Sequence, residues 1–192
     1  MNPRWIWLLV LLVGSGVSAG ADKPTTRPSV VLTDVHGRAV DPLRPAGPAN
    51  VLVFVRTDCP ISNSYAPMIN DLSKAYSGRG IVFYIIYTSR DLSLSDAQTH
   101  QKAFGYTCPA AVDRNHVLVK ALGAIATPEA FVIAADGSTA YEGRIDDSFP
   151  SLGKQRPHPT THELADAIDA VLAGTPPKVK RTRAIGCAIT ED

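Results

Sequence analysis

Continuous apolar runs alternate along this chain with segments in which apolar side chains recur every three or four positions. "VLVFV" (51–55) and "IVFYIIY" (81–87) read as strands covered on both faces. After Cys59, the residues Ile61, Tyr65, Met68, Ile69 and Leu72 share one face of an amphipathic helix. "SVVLTDVHGRAVDPL" (29–43) predicts a short hairpin about His36-Gly37, and "EAFVIAADGSTAYEGRI" (129–145) a second one turning at Asp136-Gly137. Ser95 with Gln98 forms a capping box for a helix that runs to Phe104 and stops at Gly105. Cys108 to Val112 predicts a short strand, and Asn115 is placed to cap "HVLVKAL", which ends at Gly123. Thr160 with Glu163 is placed to cap a last helix that buries Leu164, Ile168, Val171 and Leu172 and closes at Gly174. Strands and helices in this order predict an α/β fold, a three-layer sandwich about a mixed central sheet.

The N-terminal pattern is of another kind. One positive charge (Arg4), an apolar run from Trp5 to Val13 and the small residues Ala19-Gly20-Ala21 predict a signal peptide over 1–21, hence a secreted or periplasmic protein. The run is short for a spanning helix, so no stable membrane insertion is expected after cleavage. The domain is expected over 28–173, and 174–192 reads as a tail set apart from the last helix by Pro176-Pro177.

Composition narrows the function classes. A net charge of +1 from 19 basic and 18 acidic residues gives no reason to expect a nucleic-acid partner. Three cysteines, Cys59, Cys108 and Cys187, are too few to hold a domain of this size together and leave at least one thiol unpaired within the molecule. They point to chemistry. The five histidines (His36, His100, His116, His158, His162) show no metal-ligand spacing with them and read as surface or capping residues.

Cys59 falls where strand gives way to helix, with Pro60 behind it. Unpaired N–H groups and the partial positive charge of a helix N-terminus favour a thiolate there. Ser62 is positioned to donate a hydrogen bond to the sulfur. Asp58 opposes this if it faces the thiol, or caps the helix if it does not. Arg144 and Asp146 read as a solvated end of the second hairpin. Cys108 fits a buried small hydrophobe and, as the other reading, a resolving thiol.

"DCPISNSYAP" resembles the thioredoxin-fold active site, in which a cysteine opens the first helix and a proline follows eight positions later, here Cys59 and Pro67. "ATPEAFVI" is similar to the segment that carries that family's cis-proline, which makes Thr127-Pro128 the expected equivalent. The long interval between these motifs and the "D-G…Y-x-G-x-I" hairpin resemble the redoxin branch of the superfamily, relatives of the AhpC/TSA proteins. That resemblance implies a thioredoxin-like sandwich and a thiol–disulfide oxidoreductase. It also implies that Pro128 shapes the substrate groove and that backbone at Thr127 pairs with an incoming chain.

Two departures qualify it. The motif is C-P-I-S, so Ser62 stands where a second thiol would sit. The peroxiredoxin pattern P-x-x-x-T-x-x-C is missing: Thr57 lies two residues before Cys59, not three. Some secreted redoxins with C-P-I-S sites look similar in carrying a C-terminal G-C segment, which implies Cys187 as the partner of Cys59. From Gly174, thirteen residues lead to Cys187, a reach on the order of 40 Å at about 3.3 Å per residue, and Gly186 allows close backbone approach. The expected partners are a protein thiol or disulfide and a separate electron donor, with no cofactor. Three further readings stand beside this one: a thiol peroxidase, a copper carrier of the Sco type binding Cu(I), and a redox-inactive binding module that keeps only the fold. The carriers use C-x-x-x-C plus a histidine, whereas the fourth position after Cys59 is Asn63.

Overall fold

The computed structural model describes residues 29–190, so the predicted signal peptide lies outside the described residues. The strands are β1 (Leu32–Asp34), β2 (Ala39–Val40), β3 (Ala49–Val55), β4 (Ile81–Tyr87), β5 (Ala110–Val112), β6 (Ala126–Thr127), β7 (Glu129–Ala134), β8 (Thr139–Gly143) and β9 (Cys187–Ala188). The helices are α1 (Pro60–Ser64), α2 (Ala66–Ser77), α3 (Leu94–Ala103), α4 (Val117–Leu122) and α5 (Glu163–Leu172). Among the described residues, no helix is long and apolar enough to cross a membrane.

β3 is central because every one of its residues is apolar or hydrogen-bonded and all are buried. It pairs in parallel with β4 and antiparallel with β7, within a seven-stranded mixed sheet of order β2-β1-β5-β4-β3-β7-β8. Alternate residues of the central strands feed two cores. Val53, Ile85 and Val132 pack on one face with Ile69 of α2, Ala97 of α3 and Ile168 of α5. Leu52, Ile86 and Phe131 pack on the other with Leu118 of α4 and Val30 from the N-terminal segment. Helices on both faces make this a thioredoxin-like three-layer sandwich.

Several local expectations are corrected. The helix after Cys59 is interrupted at Tyr65, and Pro67 falls in the first turn of α2, where its missing N–H leaves no bond unmade. Ser93, not Ser95, caps α3, accepting from the Asp96 N–H at 3.0 Å. Asn115 does not cap α4. The fully buried Asp113 carboxylate accepts from the N–H groups of Val117, Leu118 and Val119 at 2.8, 2.8 and 2.9 Å, which an amide with one acceptor oxygen cannot match. Thr160 does not cap α5 either. It is held by Asp147, while Glu163 turns to Arg144 in an ion pair.

The tail is anchored along its course. Backbone at Lys180 and Thr182 bonds both sides of Glu142 on β8, each at 3.0 Å, and the Tyr141 hydroxyl meets Thr182 Oγ1 at 2.7 Å. Gly143 makes room for this, since a Cβ there would sit 2.2 Å from Thr182 Oγ1. The chain then crosses the end of the sheet, where β9 pairs antiparallel with β6, Thr127 opposite Cys187.

Candidate active site

Cys59 ends the loop after β3 and is itself the N-cap of α1. Its sulfur accepts from the Ser62 N–H at 3.5 Å and, as a thiol, donates to the Thr127 carbonyl at 3.1 Å. The Thr127-Pro128 peptide is cis, as the resemblance implied, and Pro128 is buried beside it. Gly186 lies against that same carbonyl: a Cβ on it would be 2.0 Å from Thr127 O, so no other residue permits this approach. Cys187 follows, and the Thr127 hydroxyl donates to its carbonyl at 3.4 Å.

The result is two thiols close enough to shift each other's ionisation. Burial, the largest influence, opposes ionisation of Cys59. It is outweighed by hydrogen bonds from the Cys187 thiol, the Ser62 hydroxyl, the Ser62 N–H and the Cys187 backbone, which bring the thiol from 9.0 down to about 7. Individual donors do this rather than a helix dipole, because α1 has only five residues before the break. The Ser62 hydroxyl is fully buried and has no other partner, so it is free to turn to the sulfur when Cys59 ionises. Cys187 moves the other way, to about 11, because burial, the shared hydrogen bond and the neighbouring Cys59 charge all disfavour a second thiolate.

Asp58 neither caps the helix nor faces the thiol unpaired. Arg56 holds it in a two-point ion pair, with contacts of 2.8 and 3.1 Å. Cys108 is also buried but lies elsewhere along the sheet. It precedes β5 beside the start of β4, about four residues below Tyr87 or ~13 Å along the sheet. Burial pushes its thiol up to about 11.

Three supports escaped the sequence reading. His100 is buried, not at the surface: Nε2 meets Asn63 Oδ1 at 3.1 Å and Nδ1 meets the Tyr87 hydroxyl at 3.0 Å. Asn63 in turn donates to the Thr57 carbonyl at 2.9 Å, tying α3 to the loop that carries Cys59. Glu129, directly after Pro128, accepts from the Ile125 and Ala126 N–H groups at 2.7 and 3.3 Å and so fixes the strand on which β9 docks. Asp146 is buried rather than solvated, and Tyr65 donates to it at 2.6 Å. Phe104, four residues after His100 and stacked on it, marks the buried side of α3 and was the signal available for that histidine. His116 is also buried, its Nε2 meeting the Thr88 carbonyl at 2.7 Å. Among the described residues, no group of three or more His, Cys, Asp or Glu side chains is arranged to hold a metal ion.

A thioredoxin-like sandwich whose helix-capping cysteine faces a cis-proline loop defines the class. Within it, residues 21–155 match the Redoxin family, and the chain belongs to that family. The match ends before α5, so Cys187 lies outside it. Two solved structures share the fold closely. A hypothetical protein from Sinorhizobium meliloti 1021 is 27% identical with a TM-score of 0.74, covering 86% of this chain and 93% of that one. An uncharacterized conserved protein from Geobacillus kaustophilus is 27% identical with a TM-score of 0.75, covering 86% and 90%. Among curated relatives, the thiol-disulfide oxidoreductase ResA of Bacillus thuringiensis subsp. konkukian is 27% identical over 115 residues, 60% of this chain and 65% of the relative.

Proposed function

We propose that this protein is a thiol–disulfide oxidoreductase in which Cys59 is the nucleophile and Cys187 the resolving thiol. The observation that carries the reading is the pairing of Thr127 with Cys187, which seats the tail thiol against the Cys59 sulfur. Similarity to a protein named as a thiol-disulfide oxidoreductase supports the reaction class.

The Cys59 thiolate attacks one sulfur of a substrate disulfide, forming a mixed disulfide and releasing the other sulfur as a thiolate. Two of the three leading causes that keep Cys187 protonated are its hydrogen bond to Cys59 and the Cys59 charge. Both end when Cys59 becomes part of a disulfide. Burial then remains, but the Cys187 thiol ionises more easily than before. The resolving thiolate therefore becomes available after substrate capture rather than ahead of it. Its attack on the Cys59 sulfur releases the reduced substrate and leaves a Cys59–Cys187 disulfide for a dithiol donor to reduce.

Substrate reaches Cys59, which is 0% exposed, when β9 lifts. Few bonds oppose this: the two-residue pairing, the Ile189 N–H to the Ile125 carbonyl at 3.0 Å and the Thr127 hydroxyl contact. At about 1 kcal/mol net for each hydrogen bond, lifting costs a few kcal/mol, within the range of local opening. An exported setting, where disulfide substrates persist, suits this chemistry.

Peptide mapping of the mildly oxidised protein tests the pairing. A Cys59–Cys187 bond with Cys108 free is expected, and a Cys108–Cys187 bond with Cys59 free sinks the mechanism. Insulin reduction measured beside peroxide consumption separates exchange from peroxidase activity, with exchange expected to be faster.

A further inference from the structure

The two thiols differ in access. Cys59 is 0% exposed, enclosed by the first turn of α1, the Thr127 carbonyl and β9. Cys187 lies on the outer strand and is half-buried. A thiolate opens a disulfide by approaching one sulfur from the side opposite its bonded partner. For Cys59 no approach is open while β9 is in place, since it is 0% exposed beneath the first turn of α1 and the Thr127 carbonyl. Cys187 retains exposed surface on the two-residue strand β9, so its sulfur is the more open of the two.

We propose that the Cys59–Cys187 disulfide is opened from outside at the Cys187 sulfur, so that the reductant bonds to Cys187 and Cys59 departs as the thiolate. This rests on the pairing proposed above. A donor thiolate attacks Cys187 Sγ: the new donor–Cys187 bond forms, the Cys59–Cys187 bond breaks, and the electron pair leaves on Cys59. The donor's second thiolate then attacks its own sulfur in the mixed disulfide, closing the donor disulfide and releasing Cys187, which takes up a proton. The donor dithiol is oxidised and the protein disulfide reduced.

One feature beyond access favours this direction, and the local charges do not oppose it. The Ser62 N–H and the buried Ser62 hydroxyl receive the departing charge on Cys59, and the better-stabilised thiolate is the better leaving group. Arg56 and Asp58 act on Cys187 with opposite sign, so the local charges neither draw nor repel an incoming thiolate strongly. The two half-reactions thus use different sulfurs: substrate meets Cys59 with β9 lifted, and the donor meets Cys187 with β9 in place.

The test starts from oxidised full-length protein, with the Cys59–Cys187 bond verified by peptide mapping. Glutathione is added as the probe thiol, the reaction is quenched in acid at early times, and freed thiols are alkylated under denaturing conditions. Glutathione is expected on Cys187, and the alkyl group on Cys59, in at least about tenfold excess over the reverse. An excess on Cys59, or an even split, overturns the proposal. In Ser62→Ala the same adduct should form about two- to fivefold more slowly, and an unchanged rate would show that Cys59 is not the leaving group. Starting material without the Cys59–Cys187 bond overturns the pairing and this proposal together, and is recognised before glutathione is added.

Discussion

The segment that holds Cys59 and the segment that holds Cys187 are built on opposite principles. Cys59 closes the loop from β3, whose seven buried residues pair along their length with two neighbours, and α1 begins at the cysteine itself. Cys187 belongs to a strand of two residues at the end of a tail held by scattered hydrogen bonds. The first arrangement fixes a sulfur and tunes its acidity. The second, under the proposed mechanism, delivers a sulfur and withdraws it. A reaction cycle needs both, and dividing them between the core and the tail lets one be rigid while the other moves.

Substitutions can break this comparison, most strongly at the sulfurs. Cys59→Ser should reduce insulin-reducing turnover to background, whereas Cys187→Ser should lose turnover yet accumulate a mixed disulfide on Cys59, visible by intact mass. Equal capture by both variants would contradict the division of roles.

The next largest contrast is in stability. Leu52→Ala, at a fully buried core position of β3, should cost about 2–5 kcal/mol in denaturant unfolding. Gly186→Ala should leave global stability within about 1 kcal/mol, because the clash with Thr127 can be relieved by lifting β9 alone. The same variant should raise alkylation of Cys59 at least about tenfold. If Gly186→Ala melts the whole domain, the tail belongs to the core after all.

Acidity sharpens the comparison further. Iodoacetamide labelling of Cys59 in a tail-lifted background should rise with pH about a midpoint somewhat above 7, since lifting removes the hydrogen bonds from Cys187. The intact site titrates near 7, and Ser62→Ala shifts that midpoint up. The sign for stability follows. A depressed thiol contributes stability that is full above 9.0, the ordinary value, and is lost as pH falls through about 7. Cys108, pushed to about 11, contributes in the opposite sense: full below 9.0 and lost as pH rises toward 11. The smallest effect expected is at that residue: Cys108→Ala should leave insulin reduction unchanged and cost about 1 kcal/mol.

What the sequence revealed follows from how local each signal is. β3 and β4 announce themselves as unbroken apolar runs, and Cys59, Pro67 and Thr127-Pro128 sit in short motifs that need no distant partner. β6 and β9 have two residues each, too few for any periodicity, and exist only because they meet each other. The caps failed for a different reason. Ser93 and Ser95, or Asp113 and Asn115, are equally able to cap by residue type, and tertiary geometry selects between them. His100 was misread because "SDAQTHQKA" has only two small alanines among polar residues, and its partners, Tyr87 and Asn63, come from other elements.

The backbone pairing of Lys180 and Thr182 with Glu142 has one more consequence. The tail closes the outer side of β8 and, a few residues later, the free side of β6. Lifting it uncovers a reactive sulfur together with unpaired backbone donors and acceptors beside it. Under the proposed mechanism, the form able to react is then also the form able to grip an extended peptide. A chain with no matching strand to offer gains less from that form, so recognition and reactivity are rationed by one motion.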